Sequence, residues 1–270
     1  MGPFRVGKGR AGRAAAASAC PSVYAADCPI IAPGYATPQP APAENRPMTE
    51  STVPTRVWDL PTRVFHWALA ACVIAAVASA KMDQIAWHFR FGYAVCGLLA
   101  FRLVWGFVGG RWSRFASFLW SPGALKRYLR GTPRDGELLE VGHSPAGALS
   151  VFAMLAVLIV QVATGLVGDD EIASVGPLNH LVSTDTGLAA TGWHTRWGQW
   201  LVFGLVGVHL VAIVAYALRG KRLVPAMWRG DKDLPPGTPG SADGPRTRGL
   251  ALALAALCAL AVAWMVSSAP

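Results

Sequence analysis

The chain has 270 residues, 53% of them hydrophobic and 14% charged, with a net charge of +9 and a mean hydropathy of +0.38. Soluble domains carry about 25% charged residues, so an ordinary soluble enzyme is excluded and an all-α, polytopic membrane protein is indicated. The positive balance does not point to nucleic acid, because membrane proteins gather Lys and Arg on their cytoplasmic loops for topological reasons.

Residues 1–55 are rich in Ala, Pro and Arg and show no amphipathic period, which predicts a disordered extension. Residues 14–19 are too short an apolar stretch for a signal peptide, and Pro21 follows at once. Membrane-like sequence begins only after Met48, which makes Met48 an alternative start. Cys20 and Cys28 lack CxxC or CxxCH spacing, so neither a zinc site nor covalent haem attachment is indicated.

Five apolar segments follow, at about 64–80, 86–108, 146–168, 195–218 and 249–266, each close to the roughly 20 residues that span a hydrocarbon core of about 30 Å. The lead-in Val57-Trp58-Asp59-Leu60 is expected at the membrane interface, and Trp58, Trp67, Trp193, Trp197 and Trp200 fit an interfacial belt. Cys72, Cys96 and Cys258 fall within apolar runs and read as buried structural thiols. The stretch up to Arg63 holds seven Lys/Arg, 109–142 holds six and 219–248 holds seven. The connection 169–193 has no Lys or Arg but carries Asp169, Asp170, Glu171 and Asp185. By the positive-inside rule the N-terminus and the even-numbered connections are cytoplasmic, and a fifth helix takes the C-terminus out.

Ionisable side chains in a bilayer are costly and mark function. Four of the six histidines lie in or at the ends of these segments: His66, His88, His194 and His209. The fifteen-residue step from His194 to His209 spans about 22 Å along a helix, with the two only about 60° apart around its axis. The alternating direction of the helices brings His66 to the depth of His209 and His88 to that of His194. Two stacked bis-histidine sites suit two b-type haems, each iron taking one imidazole from either side of the ring. Gly92, Gly97, Gly198, Gly204 and Gly207 serve either the approach of such a macrocycle or close helix packing.

The stretches Val57-Trp58-Asp59-Leu60-Pro61-Thr62-Arg63-Val64-Phe65-His66-Trp67, Arg102-Leu103-Val104-Trp105-Gly106-Phe107 and Gly142-His143-Ser144-Pro145-Ala146-Gly147, with the His194/His209 pair and Ala226-Met227-Trp228-Arg229-Gly230, resemble the bacterial cytochrome b561 and nickel-iron hydrogenase cytochrome b subunit family. The resemblance covers about 55–233. It departs where the family usually has Asn for Ser144, Leu for Ala146 and Ile-Thr for Trp228-Arg229.

This resemblance implies a four-helix haem bundle over 56–233; outside it, 234–248 reads as a linker and 249–270 as a C-terminal transmembrane helix. The resemblance also implies that His66, His88, His194 and His209 ligate two haem b groups. Electrons would then pass between quinone and a redox partner, such as a c-type cytochrome or a periplasmic oxidoreductase subunit. Arg63, one turn from His66, is placed either to pair with a haem propionate or to anchor the cytoplasmic surface. Arg102, inside the second segment, needs an anion, either a propionate or an acidic side chain. His143 stands where a proton acceptor beside a quinone would suit, since imidazole titrates near neutral pH, but a local cap serves the position equally. His180, in the acidic connection, is expected to be solvated. The leading expectation is an electron-transfer subunit rather than a stand-alone catalyst; the alternative is a self-sufficient membrane oxidoreductase acting on a small substrate at the outer face. The acidic 169–187 stretch favours the former by suiting a basic partner.

Overall fold

The computed structural model describes residues 51–134 and 136–269; residues 1–50, with the alternative start at Met48 and with Cys20 and Cys28, lie outside them. Helix α1 (Leu60–Lys81) begins where the Asp59 carboxylate accepts the Thr62 N–H and Pro61 sits in the first turn, the pairing of cap and proline that helix starts favour. A three-residue turn with Asp83 at φ 56° reverses the chain into α2 (Ile85–Val108). The next connection is not featureless: it holds a short helix, α3 (Pro122–Arg130), capped by Ser121 and ended by Gly131 at φ 68°.

Helix α4 (Pro145–Val167) is capped by Ser144, which accepts from the Gly147 N–H. Ser and Asn are both strong helix caps, so Ser144 fills the place that Asn usually holds. The fourth span starts eleven residues before the expected 195. It runs as α5 (Thr184–Gly192), a π-turn (Trp193–Gly198) and α6 (Gln199–Leu218), a 35-residue span. Its first turns are made of Gly, Ala and Thr, too weakly apolar to register as membrane sequence, yet Ser183 caps them. After α7 (Leu223–Arg229), the fifth span α8 (Pro245–Ser267) opens on Pro245.

These five spans are each long and apolar enough to cross a membrane. Helix α1 packs on α2, α2 on both α8 and α4, and α4 on α6. Val95, Leu99 and Leu155 form the α2/α4 seam, while Phe65, Phe101, Trp105 and Ala251 fill the wedge between α1, α2 and α8.

One end of the bundle, here the junction end, collects the starts of α1, α4 and α8 and the finishes of α2 and α6. Two stretches behave differently there from their sequence expectation. Residues 53–56 of the expected tail form β1 (Val53–Arg56), antiparallel to β2 (Asp231–Leu234), in register Val53 with Leu234 and Arg56 with Asp231. The expected linker 234–248 carries Ser241, which is buried, takes a backbone bond to Arg56 O at 2.7 Å and donates to Val57 O at 2.8 Å. Short polar segments gain order here by pairing their main chains with each other. The lead-in at Val57–Asp59 is likewise inside the protein: Val57 and Asp59 are 0% exposed and Trp58 4%. Their amide and side-chain bonds are made to protein, so Trp58 belongs to a core cluster with Trp112, Val141 and Ala226 rather than to the interfacial belt.

Candidate functional site: two histidine pairs

His66 on α1 and His209 on α6 face each other near the junction end, ring centres 6.4 Å apart and planes inclined by 52°. His88 on α2 and His194 in the π-turn do the same near the far end, at 5.8 Å and 85°. An imidazole nitrogen sits about 2 Å from a bound first-row metal and the ring centre about 1 Å beyond it, so two rings on opposite sides of one iron lie about 6 Å apart. Both spacings fit. A Cβ added at Gly92, one turn from His88, would meet nothing within 4 Å, which leaves room for a flat group, whereas Gly204 and Gly207 are exposed on the side of α6 away from His209. Gly97 instead lies 3.8 Å, through its would-be Cβ, from Val262 of α8, and Gly198 makes room for Gln161. Those two glycines serve packing.

The far-end pair is anchored through its second nitrogens. His88 Nδ1 donates to Ala76 O at 2.9 Å and His194 Nδ1 to Gln161 O at 2.8 Å. A carbonyl accepts only from a protonated nitrogen, so both rings carry Nδ1–H and leave the Nε2 lone pair free for a metal. At the junction-end pair, His66 Nδ1 is buried without a hydrogen-bond partner.

The two arginines lie near the junction end, in different settings. Arg63 donates from Nη1 to Trp228 O at 2.6 Å and lies 3.9 Å from Asp243, but its Nε is buried and unpartnered. Arg102 is 3% exposed, with its guanidinium 4.6 Å over the Phe115 ring and Nη1 unpartnered. Phe115 reaches this position because Gly106 offers no side chain to obstruct it. Buried donors of this kind are rare unless they have an acceptor, and two arginines beside a histidine pair suit the propionates of a haem.

His143 is wedged between Trp58 and Phe118, with ring centres at 4.7 and 4.5 Å, and its Nδ1 is also unpartnered. Burial, reinforced by the charges of Arg102 and Lys232, holds its pKa down at about 3. The expectation that it titrates near neutral pH is therefore not met: His143 is a neutral imidazole. The loop before it is fixed by Lys232, whose ammonium donates to Glu140 O and Val141 O at 3.1 and 2.8 Å. Burial lowers the Lys232 pKa to about 8. His180 is exposed, as expected.

Several functional neighbours escaped the sequence reading. Asp59 accepts from Thr62 N, Gly110 N, Ser113 Oγ and Trp105 Nε1, tying the start of α1 to the end of α2. The Asp-Leu-Pro order was a legible cap signal. Gln161 is the single amide within the 146–168 apolar run, and the rule that polar groups in membrane helices are functional would have flagged it.

The model of the prokaryotic cytochrome b561 family matches residues 57–230. Among individual proteins, the chain is similar to the "Probable Ni/Fe-hydrogenase 1 B-type cytochrome subunit" of Escherichia coli strain K12 and to its counterpart in Escherichia coli O157:H7. Each is 22% identical over 207 residues, spanning 63% of this chain and 85% of the relative. All four candidate ligands, both arginines and His143 fall inside the matched segment. With five membrane-length helices and a family match over most of its length, the chain belongs to the prokaryotic cytochrome b561 family, as a multi-pass membrane b-type cytochrome of electron transfer whose implied cofactor is haem b.

Proposed function

We propose that the chain carries electrons across the membrane between the quinone pool and a second redox protein, using two haem b groups, one held by His66 and His209 and the other by His88 and His194. The observation that carries this reading is the pairing of four histidines from three spans at two ends of one bundle, at 6.4 and 5.8 Å. When bound, haem supplies a one-electron ferric/ferrous couple at each end.

The rest is the work of the chain. The four imidazoles would hold the two groups, and Arg63 and Arg102 would supply donors for propionates at the junction end. Trp67 packs edge to face on His66 at 5.0 Å and is itself met edge to face by Trp228 at 5.7 Å. The Lys and Arg of the connections at the junction end support a cytoplasmic side for that end and for the N-terminus.

The quinone head group is assigned to the neighbourhood of His143 in this scheme, because Nδ1 of that buried ring has no hydrogen-bond partner in the protein. There a neutral imidazole between two aromatic rings offers a hydrogen bond to a quinone oxygen, and its low proton affinity makes it an orienting group rather than a proton store. The name of the relatives supports a partner protein. The acidic connection at the far end suits a basic partner such as a c-type cytochrome or a periplasmic oxidoreductase subunit.

A pyridine haemochrome assay on the purified chain, combined with a redox titration, tests the reading. Two haems per polypeptide and two low-spin centres are expected; one haem per chain would overturn the pairing, and none would overturn the cofactor assignment.

A further inference from the structure

The π-turn at Trp193–Gly198 is the one departure from regular α-helical geometry within the described 35-residue span, and it contains His194. Such turns add a residue to a helix and recur at functional sites. Here the turn is matched by a seat on α4. Gln161, Thr164 and Gly165 share one helical face by their i, i+3, i+4 spacing. The carbonyl of Gln161 accepts from His194 Nδ1 at 2.8 Å, and its side-chain Nε2 donates to the carbonyl of His194 at 2.9 Å. Thr164 Oγ1 lies 3.4 Å from the same Nδ1. The ring rests on Gly165, where a Cβ would come within 2.9 Å of Cε1. Gly198 completes the arrangement, since a Cβ there would stand 1.8 Å from Gln161 Oε1.

We propose that Gln161 is the positioning residue for His194, its amide pinning the main chain of the π-turn while its own carbonyl pins the ring, so that the far-end imidazoles are held crossed. This rests on the reading of His88 and His194 as axial ligands. Each half of the device depends on the other. The amide fixes where the Cα of His194 stands, and the carbonyl, at a fixed place on the same residue, then fixes the rotation of the ring. The 85° between the two ring planes follows from these bonds and from the matching bond of His88 to Ala76 O. Crossed axial rings donate π density into different d orbitals of a ferric iron. The two orbitals become nearly degenerate, and the low-spin electron paramagnetic resonance signal becomes highly anisotropic.

The test is that spectrum, with a redox titration, on the holoprotein. The parent should show a highly anisotropic signal that disappears in His88→Ala. Gln161→Met keeps the length of the side chain but not its amide, and Gly198→Ala displaces the amide by a methyl group. In both variants the far-end centre alone should change, by a signal of reduced anisotropy with a shifted potential or by loss of that haem, with the junction-end centre as in the parent. If Gln161→Met fails to assemble, Gly198→Ala decides. A far-end signal and potential identical to the parent's in either assembled variant would overturn the proposal. A parent with fewer than two haems would overturn the ligand reading beneath it instead.

Discussion

The two histidine pairs are alike in spacing and unlike in how they are held. At the far end both rings are tethered through Nδ1 to main-chain carbonyls, Ala76 O and Gln161 O, and the planes stand at 85°. At the junction end His66 Nδ1 has no partner, the planes stand at 52°, and the surroundings are charged, with Arg63, Arg102 and Asp243 close by. The far-end pair is oriented locally, each ring by one carbonyl of the helix packed beside its own, α1 for His88 and α4 for His194. The junction-end pair is framed collectively, by the clasp of β1, β2, Asp59, Ser113 and Ser241 that fixes the start of α1, which bears His66, against the end of α2. Local tethers should survive distant damage; a collective frame should not.

The largest effect that bears on this contrast is loss of a ligand. His66→Ala or His209→Ala should remove the same one of two haems, and His88→Ala or His194→Ala the other, each leaving half the haem content with the remaining centre intact. Loss of the same haem from His66→Ala and His88→Ala would break the pairing on which the comparison stands.

The clasp comes next. Asp59 is fully buried and accepts four hydrogen bonds, so Asp59→Ala leaves buried donors unsatisfied and should cost about 3 kcal/mol or more. Ser113→Ala, which removes the bonds to Asp59 and Thr62, should cost about 1 kcal/mol. Thermal unfolding in detergent, followed by haem absorption, checks both. The junction-end centre should be perturbed first in each, whereas equal loss at both ends would show that the far end leans on the same frame.

A smaller effect concerns pH. The His143 imidazole has an ordinary pKa of 6.5 and one of about 3 in the fold. Between those values the unfolded chain binds a proton that the folded chain refuses, so stability rises with pH across the window. The contribution is fully present above 6.5 and is lost as pH falls toward 3. His143→Gln should flatten the dependence of stability on pH between about 6.5 and 4, measured by denaturant unfolding at several pH values. An unchanged slope would mean that His143 does not contribute to it.

Much of this architecture was legible in the residues. Five apolar runs gave five helices, and the matched depths of His66 with His209 and His88 with His194 anticipated which rings would meet, because period and direction alone set depth. The clasp was not legible: nothing local in Val53–Arg56 or Asp231–Leu234 marks two four-residue strands, whose order comes from pairing across nearly the whole span. The π-turn was hidden as well, since Trp193–Gly198 reads as ordinary helix until Gln161 approaches from α4. Trp58 was placed at the interface because tryptophan favours it, but the main-chain bonds of Val57 and Trp58 to Gly230 O draw the segment inward.

The smallest expected effect lies at the acidic connection, and the structure sharpens how to look for it. Of the four acids there, Asp170 accepts from the N–H groups of Ile172, Ala173 and Ser174, bonds that hold its pKa well below the usual carboxylate range. Asp169 accepts from Glu171 N at 2.8 Å. Neutralising these two would unmake a turn as well as remove charge. Glu171 and Asp185 are exposed, and among the described residues no hydrogen bond ties their side chains, so Glu171→Gln with Asp185→Asn removes charge without unmaking a turn. Exposed charges are screened over about 10 Å at 0.1 M salt, so if this surface steers a basic partner, the double variant should slow electron exchange a few-fold at low ionic strength and match the parent at high. Both haem spectra should stay as they were, since the tethers of His88 and His194 are untouched. Exchange rates that coincide at every salt concentration would leave the connection as a translocated segment depleted of Lys and Arg for topological reasons, and would place partner docking elsewhere on the far end.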